Sequence, residues 1–212
     1  MEYTKWRADT FQNLQMNAGV VASDFTPSTG ALTRTAILGA TTGGLTFNAN
    51  PTFEDFGEDI DNVPNNTKQL KRITGYDPVL SGTFVSLSES LPKQLNGAGS
   101  YGVATTGNDT HVIPTHTLQD SDFDDIWFIG DFSDKNANGT GTDTSLAGYI
   151  AIHLKNALNT TGFQLKTTKN GKGQLAFEFH GHYDLDHVDD VPFEFYVRKG
   201  SVPTTSSTPA TT

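Results

Sequence analysis

Cysteine is absent from the 212-residue chain, which removes disulfide staples, thiolate nucleophiles and thiolate metal ligands at one stroke. Basic residues are scarce: 14 Lys+Arg stand against 24 Asp+Glu, a formal charge of −10, so most of the surface is unsuited to gripping phosphates. No run of apolar residues approaches the length of a membrane span. The start, Met1 to Phe11, carries Glu2, Lys5, Arg7 and Asp9 and lacks the apolar stretch of a secretory signal. What the chain has in abundance is threonine and glycine, thirty and 21 residues, a balance that favours strands and turns over helices. Its length is enough to bury a core without staples.

The clearest β grammar runs from Gly162 to Arg198. Phe163 and Leu165 alternate with polar residues, as do Leu175, Phe177 and Phe179, with Asn170-Gly171 as a turn between them. A three-residue loop, Lys169 to Gly171 with Gly171 left-handed, pairs Leu165 with Leu175 and Phe163 with Phe177. A two-residue loop would set apolar side chains beside polar ones. Phe193, Phe195 and Val197 then alternate with Glu194, Tyr196 and Arg198, predicting a third strand with one oily and one wet face.

Upstream, residues 1–13 form an N-terminal arm, residues 14–199 a β domain, and residues 200–212 a Ser/Thr/Pro-rich tail expected to be disordered. Leu14 to Phe25 is a loose first strand. Thr33 to Asn50 is predicted to be a projecting hairpin broken at Thr41 to Gly44, with Ile37 and Leu38 on one arm and Leu45 and Phe47 on the other. It has too few large apolar residues to cover itself, so a neighbouring subunit is a natural cover. The acidic stretch that follows is expected to be a loop pinned by Phe53 and Phe56. Candidate subunit contacts are therefore Ile37, Leu38, Gly43, Gly44, Leu45, Phe47, Phe53 and Phe56. Asn66 as N-cap, Leu70 and Ile73 as apolar edge and Gly75 as terminator predict a short helix. Val79 to Leu87 and Ile126 to Ile129 are expected strands. Residues 92–122 are expected to be largely surface loop with a short strand at His111 to Ile113. Gly148 to Leu158 fits strand or helix, with strand preferred for its β-branched alternation.

Four spots carry the outline of chemistry. His180, His182, Asp184, Asp186 and His187 approximate a hydrolase zinc pattern, but Leu185 stands where that pattern needs histidine, so a solvated sheet face is the better reading. Asp134, Asn136, Asn138 and Gly139 match the first half of a calcium loop whose last ligand would fall on Ser145. Asp55-Phe56-Gly57 lacks every other kinase signature. Adjacent carboxylates such as Asp124/Asp125 and Asp189/Asp190 point to opposite faces of a strand and offer no catalytic pair. No enzyme, metal or cofactor is expected.

The order of segments is more telling than any motif. Leu45 to Phe47, Phe53 to Asn62, Asn66 to Lys71 with Val79 to Phe84, Asp125 to Asp131, Gly162 to His182 and Val191 to Phe195 together resemble the major tail tube protein of long-tailed, non-contractile bacteriophages, especially of Gram-positive hosts. That resemblance implies a β-sandwich or barrel with one short flanking helix and a long projecting hairpin. It implies that six copies join into rings stacked as a hollow tube, with tape-measure, baseplate and tail-terminator proteins as partners and DNA passing through without specific binding. It places the protein in the virion tail, assembled in the host cytoplasm, with no membrane insertion. An acid-lined bore suits such a conduit, because carboxylates repel phosphates instead of holding them. Glu178, Asp184, Asp186 and Glu194 are the candidate lumen residues, with His180 and His182 on the same face. A virion decoration or carbohydrate-binding β-sandwich is the alternative.

Overall fold

The structure, a computed structural model, describes residues 15, 17–102, 110–132 and 148–198. The expected arm, the Ser/Thr/Pro tail and the calcium-like loop from Asp134 to Ser145 lie outside those residues. The fold is mainly β and consistent with a β-sandwich. In chain order it comprises β1 (Val20–Ala22), β2 (Ile37–Gly39), β3 (Thr46–Asp55), β4 (Lys71–Phe84), α1 (Leu91–Asn96), β5 (Gly99–Tyr101), β6 (Val112–Pro114), β7 (Asp124–Asp131), β8 (Tyr149–Asn159), β9 (Gln164–Lys166), β10 (Gln174–His180) and β11 (Phe193–Arg198).

Nine strands form one antiparallel sheet in the order β2-β1-β7-β8-β10-β4-β3, with β11 also on β8 and β9 also on β10, while β5 and β6 pair separately. The sheet folds over on itself because β8 serves two partners along one edge. Its first part pairs with β11 from Tyr149 to Leu154, and its end pairs with β10 at Leu158 and Asn159. Between these lies Asn156, at φ 48°, beside a register shift between Asp124 and Ile126 on β7. A left-handed residue next to a bulge sharpens strand twist, and asparagine tolerates that conformation better than other side chains.

The two halves bury a shared core of Leu80, Phe84, Leu175, Phe177 and Phe179 from one side and Val21, Ile126, Ile152 and Leu154 from the other. Phe84 and Phe177 stack with ring centres 4.4 Å apart. Gly82, opposite Phe177 in the ladder, leaves room for this packing: a Cβ there would come within 2.4 Å of Leu45 and 3.0 Å of Phe177. A second cluster covers the outside of the β1-β7-β8 half, where Phe25 packs on Trp127 and Tyr149. Arg198 fastens that cover, donating to the carbonyls of Pro27 and Ser28, both at 2.8 Å, with its guanidinium 5.1 Å from the Tyr149 ring centre.

Several expectations hold. β7 contains the doubly buried Ile126 to Ile129 segment, the Gly148 to Leu158 region is strand β8, Val79 to Phe84 lies in β4, and Leu165 pairs with Leu175. Others are corrected. β2 pairs with β1 and β3 with β4, so Ile37/Leu38 and Leu45/Phe47 are arms of no common hairpin; Thr41 to Gly44 crosses from one half-sheet to the other. The long hairpin is β3-β4 instead. The helix expected from Asn66 to Gly75 is absent because Asn62 and Asn66 adopt left-handed φ of 64° and 62°, and Asn66 N–H donates to Asp55 at 2.7 Å; β4 starts at Lys71. The helix sits at Leu91–Asn96, with Pro92 in its first turn, Gly97 after it, and Leu91 and Leu95 fully buried. In the β9–β10 turn Asn170, not Gly171, is left-handed, and the ladder stops at Gln164, leaving Phe163 unpaired with Phe177.

Candidate functional site: an open sandwich mouth and a projecting ribbon

Strand β11 pairs with β8 and strand β3 with β4, and each leaves its other edge without a ladder partner among the described residues. Ladder partners share a face, so Phe193, Phe195 and Val197 lie on the same side as Leu154, Ile152 and Ile150, the side of the core. Phe47 on β3 meets Phe193 and Phe195 across the gap, with ring centres 5.8 and 5.7 Å away. Yet Phe195 is 54% and Val197 61% exposed. The expected oily face exists, but it is open: the sandwich has a mouth where β3 and β11 fail to close.

Beyond β10, strands β3 and β4 continue as a two-stranded ribbon whose ladder reaches Asp55 opposite Lys71. Phe53 and Ile73 remain about half exposed there. Phe53 belongs to β3 and Phe56 follows it; neither pins a loop by burial. Each lies instead beneath a cation, Lys71 5.3 Å from the Phe53 ring and Arg72 5.5 Å from that of Phe56. Asp55 organises the tip by accepting from Gly57 N–H and Asn66 N–H, at 2.9 and 2.7 Å, and these two bonds hold its carboxyl below the ordinary range.

The other contact candidates divide. Leu38 is core and offers nothing to a neighbour, a correction that follows from β2 joining β1. Ile37, Leu45 and Phe47 are half-buried, and Gly43 and Gly44 are exposed at φ 77° and 84° with open space around them. Ile73, Phe195 and Val197 were missed. The alternation of Phe193 to Val197 marked an apolar face, but nothing local shows which apolar faces a fold leaves uncovered.

The lumen candidates do not share a face. Glu178 stands on β10, where His180 lies 3.2 Å from Asp77 and 3.4 Å from Glu178. Strand alternation ends at His180. Asp184 caps a single 3-10 turn, Leu185–His187, accepting from Asp186 N–H at 2.9 Å, so neither aspartate extends the β10 face. Glu194 belongs to the other half-sheet, paired with Lys155 and accepting from the Tyr196 hydroxyl. Lys155 first and Tyr196 second keep its carboxyl low, and Glu194 in turn pushes the Tyr196 phenol up.

Beside Glu194 a cleft of about 240 Å³ is lined by Asp125, His153, His182, Asp184, His187 and Asp190 among others. His153 stacks on Trp127, centres 4.0 Å apart and nearly parallel. Its Nε2 lies 3.2 Å from Asp125, without the alignment of a full hydrogen bond. The facing imidazole, then the Asn156 N–H at 3.2 Å, hold Asp125 below the ordinary carboxylate range against the opposing effect of burial. His182 Nδ1 is 3.0 Å from the Asn156 carbonyl. These bonds tie the 181–192 segment to the β8 kink. No three His, Asp or Glu side chains among the described residues are grouped to hold a metal ion. No described helix is long and apolar enough to cross a membrane.

The geometry defines a β-sandwich protein with an open apolar mouth and a projecting ribbon. No family model and no curated protein match the sequence.

Proposed function

We propose that the chain is a structural subunit that assembles with copies of itself into stacked hexameric rings, forming the hollow tail tube of a long-tailed, non-contractile bacteriophage. The observation that carries this reading is the open mouth: strand edges on β3 and β11 that have no ladder partner among the described residues flank apolar side chains, Phe195 and Val197, that are more than half exposed. Unpaired edges beside exposed apolar surface favour strand addition by another chain, and a closed ring satisfies every edge without open-ended aggregation. The ribbon adds support, since two strands that cover neither of their own faces gain stability by lying on a neighbour. Glu178 and Asp77 supply a carboxylate-bearing sheet face suited to a bore that lets DNA slide. Tape-measure, baseplate and terminator proteins are the expected partners, in a virion assembled in the bacterial cytoplasm.

Negative-stain electron microscopy and light scattering of the concentrated protein test the reading. Six-fold rings or tubes are the expected outcome. A monomer that persists at every concentration overturns it and favours the decoration or carbohydrate-binding module.

A further inference from the structure

Strand β10 carries opposite charges at its two ends. At its start, the segment from Phe163 to Gly173 holds Lys166, Lys169 and Lys172 and no carboxylate, all three lysines exposed, with Phe163 and Leu165 also 42% and 56% exposed. At its finish, the segment from Tyr183 to Asp190 holds Asp184, Asp186, Asp189 and Asp190, with His187 as its single basic-capable residue. Here too apolar side chains stand in solvent: Leu185 is 91% exposed, Val188 64% and Tyr183 42%. No ion pair links the three lysines or the four aspartates to any other described residue.

The two patches lie at opposite ends of β10. The β10 ladder spans seven residues, about 20 Å, and the 183–190 segment begins past its far end, where Tyr183 receives the Tyr76 N–H at 2.9 Å and the Gly181 N–H reaches the Pro78 carbonyl at 3.0 Å. They therefore cannot meet within one molecule. Both combine apolar side chains with charge of one sign, and the signs are opposite.

We infer that these ends meet between copies: the lysine-bearing β9–β10 hairpin of one subunit docks on the aspartate-bearing 183–190 segment of the next, a head-to-tail contact along the direction of β10. The inference rests on the tube reading and names the surface by which successive rings stack. A contact between unlike patches at opposite ends of one strand repeats along a line when successive copies are related by translation, which is what linear growth requires. Phe163, Leu165, Leu185 and Val188 supply apolar contact, and the charges set register and exclude hairpin-to-hairpin encounters. It also gives Asp184 and Asp186 a place between rings, not facing the bore.

The test uses two full-length variants, K166E/K169E/K172E and D186K/D189K/D190K; Asp184 is spared because it caps the 3-10 turn. Every altered side chain is solvent-exposed, so circular dichroism should match the unaltered chain. Each variant alone should lose at least about tenfold of its sedimentable tube mass, because like charges then face each other at every junction. Mixed in equal amounts they should recover it, since each variant's hairpin now suits the other's acceptor. If either variant alone forms tubes like the unaltered chain, or the mixture fails to recover, the contact is wrong while rings from the unaltered chain leave the tube reading standing. If the unaltered chain forms neither rings nor tubes, the tube reading falls and takes this contact with it.

Discussion

Asn159 binds three parts of the fold through one polar side chain. Buried at 3% exposure, its amide donates to the Leu95 carbonyl at 2.5 Å and the Gly162 carbonyl at 3.1 Å, while its oxygen accepts from Glu178 N–H at 2.8 Å and from the Thr161 hydroxyl at 3.1 Å. It thus ties α1, the turn after β8 and strand β10 together. Replacing it with alanine takes this partner from the Glu178 N–H and from the Leu95 and Gly162 carbonyls, the first of these carbonyls in a buried bond, and should cost on the order of 3 kcal/mol, read as a lower midpoint in urea at unchanged slope. Acid sensitivity is decided by single side chains too. Asp125 and Glu194 have carboxyl pKa values below their ordinary ones in the folded chain, so their contribution is complete above the ordinary range, about pH 4, and is lost as pH falls through the lower folded values. The melting temperature should therefore hold between pH 7 and 5 and drop below about 4. E194Q should blunt that drop, measured by thermal melts across the pH series.

Among elements, β11 and the β3–β4 ribbon separate stability from association. F195S/V197S removes apolar surface that a monomer already exposes, so its melting temperature should stay within a few degrees of the unaltered chain while ring formation is lost by electron microscopy. A full loss of fold in that variant would show that the mouth is closed in the monomer. The elements also mark where reading the sequence succeeds and where it stops. β7, β8 and the Leu165–Leu175 pairing were legible because their signals are local: an unbroken apolar run for β7, β-branched alternation for β8, and for the pairing a turn length that sets like side chains opposite each other. The helix was not: Asn66 to Gly75 offered a cap, an apolar edge and a terminator, but two left-handed asparagines and the bond to Asp55 made that stretch a turn feeding β4. The true helix carried its own signal, Pro92 within and Gly97 after, in a segment whose polarity disguised it. Pairing partners were illegible as well. Nothing between Thr33 and Asn50 says that Ile37 seeks β1 while Leu45 seeks the opposite half-sheet, since that choice is made by partners outside the segment, Ala22 opposite Ile37 and Leu80 opposite Phe47. The candidate site suffered accordingly. Leu38 was taken into the core, Asp184 and Asp186 were carried off the strand by a cap, and the faces that stay open were set by strand order, which no single segment encodes.

At the scale of the whole molecule, charge distribution governs growth. A formal −10 per chain sets copies against one another, so assembly depends on attractions that are local and directional. Tube yield of the unaltered protein should consequently pass through a maximum with salt: modest ionic strength relieves the general repulsion, and half-molar salt, with a screening length of about 4 Å, weakens exposed contacts between unlike patches. Sedimentation across a salt series checks this, and a yield that only rises would assign association to apolar contact alone. The kink at Asn156 bears on the same scale. Because β8 belongs to both half-sheets, a load applied at the β11 edge travels to β10 through a single unbroken backbone, not across a slippery hydrocarbon interface. Strain imposed on one wall is thereby felt by the other, and a cylinder made of such units would twist as a piece before its walls could shear apart.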